Sequence, residues 1–368
     1  MKIAFVVHDY YRGTGHSRYV VELATRFSRE HEVHVFANRF EKLDQCGVIF
    51  HKVPAVRASA IATILTFGVS AALRVPRDFD VIHCQGFCGP RGNIITAHIC
   101  NEAWSRSLAQ FTGGRTAKER VFNFFTSRLE NWLYRGARDC RVIAISRRVA
   151  DDVVRYYGCP APIRLIYHGV DLETFSPRAK CHRIERRREL GVPDSEMVFL
   201  YVGDLRKGAR QCIRALARLR CGHLMLASRS APEPYAALAR ECGVSDRVHL
   251  IPHTSRIQDY YGAADALLLP TPYDAFALVV TEAMATSLPV VVSRAAGASE
   301  LIVDGENGLI LDDPADEAGL AAHMSALLQD PVWAASLGHA ARLTAEQFSW
   351  DAIADQTMSV YRELATRT

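Results

Sequence analysis

TPYDAFALVVTEAMATSLPVVVS, residues 271–293, decides how the rest of the chain reads. Two carboxylates, Asp274 and Glu282, stand eight positions apart in it, with an almost wholly apolar run between them. The stretch follows ALLLP (266–270) and ends in LPVVVS (288–293). Such short, continuous apolar runs are expected of strands buried on both faces of a parallel sheet. Residues 277–285 between them read as a helix. Asp274 then falls at or just before the helix start, where a short acid commonly caps free N–H groups. Glu282 falls about one and a half turns inside. A carboxylate at that depth is costly without a partner. The local pattern allows two: a ligand hydroxyl or a basic neighbour.

Working outward, the same punctuation recurs. IAFVVH (3–8), a glycine-bearing loop RGTGHS (12–17), an amphipathic helix through Val20, Leu23, Ala24 and Phe27, and EVHVFA (32–37) form a βαβ unit. DVIHC (80–84), NIITAH (93–98), RVIAIS (141–146) and IRLIYHGV (163–170) continue the series. The basic stretch SPRAKCHRIERRREL (176–190) has no strand character. MVFLYVG (197–203) then opens a second series with HLMLAS (223–228), RVHLIP (247–252) and the two runs already named. The reading is α/β: two Rossmann-like, doubly wound domains. It divides the chain into an amino-terminal domain 1–170, a linker 171–195, a carboxyl-terminal domain 196–345 and a terminal helix 346–368 that either packs on its own domain or crosses back to the first.

The 368 residues are 49% hydrophobic with a net charge of +4, which supplies two cores and gives no reason to expect nucleic acid as a partner. Met1 leads straight into KIAFVVHDY with no leader-like segment, so a cytoplasmic location is expected. The longest uncharged run, 58–73, has 16 residues, short of a membrane span. The ten cysteines are scattered without a CxxC pair. Cys84 and Cys88, beside His83, lack a second ligand pair for zinc, and reduced thiols are expected.

Two loops suit an anion. Thr14-Gly15 follows the first strand, and Gly15 lets a backbone N–H approach a ligand. Gly203-Asp204-Leu205-Arg206-Lys207-Gly208 adds two cations before a helix start.

The acid-x7-Glu pair, followed by AMA and Pro-Val-Val, resembles the retaining glycosyltransferases of family four. AISRRVADDVVRYYG (144–158), IYHGVDLETFSP (166–177), YVGDLRKG (201–208) and AGASELIVDGENGLIL (296–311) match recurring phrases of that family in order. The resemblance implies the GT-B fold, two Rossmann-like domains facing across a cleft. It implies a nucleoside-diphosphate sugar as donor, with UDP favoured, bound by domain 196–345, a glycan, glycolipid or small-molecule acceptor on the side of domain 1–170, and no metal or other cofactor. It places the Gly15 amide at the donor diphosphate, Arg206 and Lys207 as the cations that hold it, and Glu282 at the ribose hydroxyls. It places Asp274 and His98 at the transferred sugar, with the amides of Phe276, Ala277 and Leu278 facing sugar and phosphate. Glu300 receives no role.

Three departures stand out. Asp274 replaces a glutamate and is one methylene shorter. Ala277 and Ser287 replace glycines, and Ser287 is strained if its φ is positive. Residues 104–148 carry ten basic residues against three acidic ones, interleaved with aromatics such as Phe124, Phe125 and Trp132. That pattern suits peripheral docking on anionic lipid or an anionic glycolipid, a pocket for a soluble, partly apolar acceptor, or an ordinary helix face over a core. A nucleotide-sugar-binding pseudoenzyme or partner subunit, and a GT-B epimerase, are the competing readings.

Overall fold

The computed structural model describes residues 1–41, 47–89 and 92–365, which form two compact units. Each unit is built on one parallel sheet.

The amino unit comprises residues 1–109 and 113–169 together with the chain from Trp350 onward. Its strands are β1 (Lys2–Val6), β2 (Glu32–Ala37), β3 (Val48–Lys52), β4 (Val81–Gln85), β5 (Ile94–Ala97), β6 (Arg141–Ala144) and β7 (Ile163–Leu165). They lie side by side in the order β3-β2-β1-β4-β5-β6-β7, all parallel. Between them run α1 (Gly15–Phe27), α2 (Ala60–Arg74), α3 (Asn101–Thr112), α4 (Ala117–Arg135) and α5 (Arg147–Tyr157). β1, β4 and β5 are buried almost throughout, which is why they read as unbroken apolar runs. β3 is an edge strand with only Val48 fully buried, and the sequence gives no such run for it.

The carboxyl unit spans Val170–Ser349, with residues 110–112. Its helices are α6 (Arg183–Glu189), α7 (Ala209–Ala217), α8 (Glu233–Glu241), α9 (Ile257–Ala263), α10 (Leu278–Ala285), α11 (Glu317–Gln329) and α12 (Pro331–Glu346). Its strands are β8 (Val198–Val202), β9 (His223–Ala227), β10 (Val248–Ile251), β11 (Ala266–Leu269), β12 (Val290–Ser293) and β13 (Leu309–Leu311), in the order β10-β9-β8-β11-β12-β13. By position the carboxyl sheet runs 3-2-1-4-5-6, the dinucleotide-fold order, the amino sheet adds a seventh strand after the same six, and each reverses direction beside its first strand.

Residues 171–195, read above as a linker, fold into the carboxyl unit. Arg187 is the reason. Its guanidinium is 1% exposed and donates to the carbonyls of Ala263 at 2.9 Å and Glu196 at 2.7 Å, and to Asp265 Oδ2 at 2.5 Å. Arg183 takes the other Asp265 oxygen at 2.6 Å. These bonds satisfy the carboxyl end of α9 and fasten α6 to the start of β8.

The terminal helix α13 (Trp350–Ala365) belongs to the amino unit. Asp351 accepts from Arg26 at 2.7 Å, and the Tyr361 hydroxyl is 2.6 Å from His83 Nδ1. Trp350 packs so closely that a Cβ at Gly169 would lie 2.6 Å from its ring.

Candidate functional site

In the carboxyl unit the sheet reverses between β8 and β11, and the loops leaving those two strands carry the residues singled out above. The β8 loop turns at Gly203 and Gly208, both with positive φ (143° and 130°). Gly208 admits no side chain: a Cβ there would lie 2.4 Å from the Pro270 carbonyl oxygen at the end of β11. That approach is what brings the two loops together.

Between the glycines, residues 205–207 form one 3-10 turn. Asp204 caps it, accepting from the Arg206 N–H at 3.0 Å. Arg206 also turns its guanidinium onto Asp204 at 2.7 Å. Burial pushes the Asp204 carboxyl up, but these bonds outweigh it and hold the group below the usual carboxylate range. Lys207 points the other way and meets Asp274, with Nζ 3.0 Å from Oδ2.

Asp274 is not the helix cap. Its Oδ1 accepts from the Phe276 N–H at 3.3 Å, a side-chain turn two residues long. Its backbone is pinned against 295–297: Asp274 N donates to the Ala295 carbonyl at 3.2 Å and Gly297 N to the Asp274 carbonyl at 2.9 Å. The residue before α10 is Ala277, which sits in left-handed backbone at φ 73° and makes no side-chain cap. The α10 amino terminus at Leu278 follows it directly. Glu282 is 8% exposed, and the Tyr261 hydroxyl of α9 donates to its Oε2 at 2.9 Å. A neutral hydroxyl is thus one partner of this buried acid. Nothing in the sequence pairs Tyr261 with Glu282. Glu300 is exposed on the turn after β12.

Among the described residues, Ala277 and Ser287 are the non-glycine residues with positive φ. Ser287 (φ 60°) closes α10 in a Schellman motif, with Ser287 N donating to the Met284 carbonyl and Leu288 N to the Ala283 carbonyl, each at 3.0 Å. Both positions where the sequence departs from glycine are therefore positions where glycine is conformationally favoured.

The amino unit holds the remaining two candidates. Gly15 opens α1 behind Thr14, which makes no side-chain cap, and Gly15 is helical rather than left-handed. His98 follows β5 and lines a cavity of about 330 Å³. That cavity lies at the carboxyl ends of β1, β4 and β5, where this sheet reverses. His8, Gln85 and His98 come from the strand ends, and Phe122, Leu129 and Glu130 from α4. Glu130 accepts from Asn101 N at 2.9 Å, Asn101 Nδ2 at 2.5 Å and the Tyr157 hydroxyl at 2.7 Å. Burial nevertheless pushes its carboxyl up to about 7.

The nine described cysteines are unpaired, and Cys46 lies outside the described residues. Both ring nitrogens of His83 are taken, by Tyr361 and by Thr96 at 2.6 Å. Among the described residues no group of three or more His, Cys, Asp or Glu is arranged to hold a metal.

Known proteins resolve the class. Residues 13–174 match the model of Glycosyltransferase Family 4, and residues 196–330 match that of Glycosyl transferases group 1. A D-inositol 3-phosphate glycosyltransferase of Kribbella flavida is 31% identical over 88% of this chain and 79% of its own length. One from Xylanimonas cellulosilytica is 33% identical over 61% of this chain, though the match spans only 57% of that relative. WaaG, a glycosyltransferase involved in lipopolysaccharide biosynthesis, superposes with a TM-score of 0.81 over 98% of this chain and 99% of its own, at 19% identity. Anabaena Alr3699/HepE, solved with UDP-glucose, gives 0.74 over 99% and 100% at 19% identity. The fold is GT-B, and the chain belongs to glycosyltransferase family 4.

Proposed function

We propose that this glycosyltransferase moves a hexosyl unit from a UDP-sugar to an acceptor hydroxyl with retention of anomeric configuration. The observation that carries the donor side is the meeting of two loops at the β8/β11 reversal, which places Arg206, Lys207, Asp274 and the 276–278 backbone at one sheet end. The choice of UDP is supported by the UDP-glucose complex of Alr3699/HepE. The relatives' name makes D-inositol 3-phosphate one acceptor to test, beside hydroxyls of glycolipids, envelope glycans and natural products.

In the reaction, the acceptor oxygen bonds to the anomeric carbon as the bond from that carbon to the phosphate oxygen breaks. The leaving diphosphate keeps the electron pair, and its oxygen takes the acceptor proton. Negative charge grows on the diphosphate, so cations already fixed there lower the barrier. Lys207 and Arg206 fill that role, and the amino terminus of α10 adds to it. Glu282 binds the ribose hydroxyls and Asp274 a hydroxyl of the transferred sugar, while His98 orients that sugar. The cations occupy the place of a divalent ion, so activity is expected to survive EDTA.

We place the enzyme at a membrane surface, on the strength of α4. Val121, Phe124, Phe125 and Trp132 are 53%, 54%, 42% and 59% exposed there, among Lys118, Arg128 and Arg135. Among the described residues no helix is long and apolar enough to cross a membrane, so contact would be peripheral.

The deciding experiment incubates the purified protein with UDP-, GDP- and ADP-sugars without metal and detects free nucleoside diphosphate by mass spectrometry. Slow release from one UDP-sugar, lost in Glu282→Ala and Lys207→Ala, supports the reading. Nucleotide binding with no turnover of any donor, with or without acceptors, supports the pseudoenzyme instead.

A further inference from the structure

Both cations assigned to the donor diphosphate are already paired with carboxylates. Lys207 meets Asp274 across the two loops, and Arg206 turns back onto Asp204 of its own loop. The second contact is a fork. Arg206 Nη2 donates to Asp204 Oδ2 at 2.7 Å, and Nε lies 3.1 Å from Oδ2 and 3.2 Å from Oδ1. The four side chains cancel in charge. A diphosphate entering these loops therefore meets two anions along with its two cations.

The two sides of the fork are not equally free to move. Asp204 is held in place: its Oδ1 accepts from the Arg206 backbone N–H at 3.0 Å and from the Ser230 hydroxyl at 3.4 Å. Ser230 Oγ accepts in turn from the Leu205 N–H at 3.4 Å. The Arg206 guanidinium ends a long side chain that is 50% exposed, against 32% for Asp204. An ion pair this exposed is weak, so a diphosphate can draw the guanidinium to itself. Asp204 then stays where it is, as a carboxylate beside the ligand. Its charge lies within the site rather than outside it. Lys207 is near enough to help hold it ionised. Burial raises the Tyr201 hydroxyl well above its usual range, and the charges of both Asp204 and Asp274 add to that rise.

A fixed anion acts on a ligand in proportion to the ligand's own charge. The diphosphate of a nucleotide sugar is a diester, with one charge on each phosphate. A free nucleoside diphosphate ends in a monoester, which carries close to one charge more at neutral pH because its second pKa is about 6.

We propose that Asp204 separates donor from product: as a fixed negative charge at the diphosphate it weakens the site for the free nucleoside diphosphate more than for the nucleotide sugar, and takes Arg206 back as the product leaves. The inference rests on the donor-site reading of these two loops.

The test is calorimetric titration of the full chain with UDP-glucose, UDP and inorganic pyrophosphate. Asp204→Asn removes the charge and keeps a side chain that can cap the turn. It is expected to tighten UDP and pyrophosphate about tenfold and UDP-glucose about threefold. Asp204→Glu keeps the charge and is expected to keep the wild-type ratio of UDP to UDP-glucose affinity, which a purely structural role for Asp204 does not predict. Adding Arg206→Gln to Asp204→Asn restores the neutral sum and is expected to return UDP affinity to near the wild-type value. Equal changes for UDP and UDP-glucose, weaker UDP binding in Asp204→Asn, or no binding of any of the three by that variant would each overturn the proposal. Nucleotide release from UDP-sugars is read separately. The expected shift in ratio without donor turnover would defeat the transferase reading and leave the role of Asp204 standing at a nucleotide site. Donor turnover with an unchanged ratio would do the reverse.

Discussion

Lys207 and Asp274 lie 67 positions apart in the chain and 3.0 Å apart in the fold. One closes the loop after the first strand of its sheet, the other the loop after the fourth. Their side chains are 23% and 28% exposed, so the pair itself contributes no more than about 1 kcal/mol to stability. Its importance is positional. The ammonium has two further protons to give, and Asp274 holds it still.

Lys207→Ala should therefore lower donor turnover about 10²–10³-fold, the usual cost of removing one preorganised donor from developing negative charge. Asp274→Asn should lower turnover too, while UDP affinity in a calorimetric titration changes by less than about threefold. Equal losses of UDP affinity in both variants would place Asp274 at the nucleotide rather than at the sugar.

The two strained positions make opposite claims on stability and function. Ser287 lies at the far end of α10, in the left-handed position of a Schellman motif. Ser287→Gly should stabilise the protein by about 1 kcal/mol, read from the urea midpoint, with donor turnover unchanged. Ala277 (φ 73°) stands between the Asp274 turn and α10. Ala277→Gly should stabilise by a similar ~1 kcal/mol and also change the Michaelis constant for the donor, because this backbone faces the proposed sugar site. Destabilisation by either change would show that the serine hydroxyl or the alanine methyl makes a compensating contact.

How much of this could be read from the sequence depends on where each signal lives. Strands such as β1, β8 and β12 are buried on both faces, so their identity is local. β3 (VIFHK) is an edge strand with a mixed face, and β13 is three residues long, so neither reached a recognisable run. The loops at 203–208 and 271–278 were legible because glycine, proline and charge cluster there. The Glu282–Tyr261 bond was not, because its two residues sit on different helices and meet only through packing. The cavity was even less visible: its lining comes from three strand ends and several helices, and among the candidates only His98 touches it. Arg187 reads as one more cation in a basic run, and only the fold reveals that it is 1% exposed.

That buried guanidinium makes a sharp stability test. Burial lowers the Arg187 pKa, yet Asp265 and four backbone carbonyls hold the group in place. Asp265→Asn removes the countercharge and leaves the cation uncompensated, and should cost about 3–5 kcal/mol. Arg187→Met, which removes the buried charge but strands the carbonyls, should cost less. Urea unfolding of both variants checks the order, and a greater loss in Arg187→Met would assign the stability to the carbonyl bonds.

The exposed aromatics of α4 lead to a flotation experiment. The wild-type protein should float with vesicles containing about one third anionic lipid at low salt, and release as salt screens the attraction. A variant carrying Phe124→Ser, Phe125→Ser and Trp132→Ser should stay at the bottom of the gradient while its far-UV spectrum is unchanged. Arg128 stacks over Phe124 at 4.6 Å, so Arg128→Glu should weaken binding through both charge and packing. A wild-type protein that ignores such vesicles would remove the membrane from the account of acceptor choice.

Acid should weaken the amino unit between pH 7.5 and 5. His83 and His168 are buried and His8 is half-buried, and burial lowers their pKa values to about 3, 3 and 4 from 6.5. Below pH 6.5 the unfolded chain binds more protons at these rings than the folded one. Their contribution is therefore fully present above 6.5 and lost as pH falls. Glu130 works in the opposite direction. Its pKa is raised from 4.5 to about 7, so its contribution is full below 4.5 and is lost as pH rises through about 7. At pH 5 each imidazole costs on the order of 2 kcal/mol, and Glu130 returns about 2–3 kcal/mol. The three rings outweigh the one carboxyl, so the urea midpoint should fall between pH 7.5 and 5. Glu130→Gln removes the opposing group and should steepen that fall. A midpoint that rises toward pH 5 would show that the imidazoles titrate in the folded protein much as they do in water, and a Glu130→Gln profile no steeper than wild type would show the same of the Glu130 carboxyl.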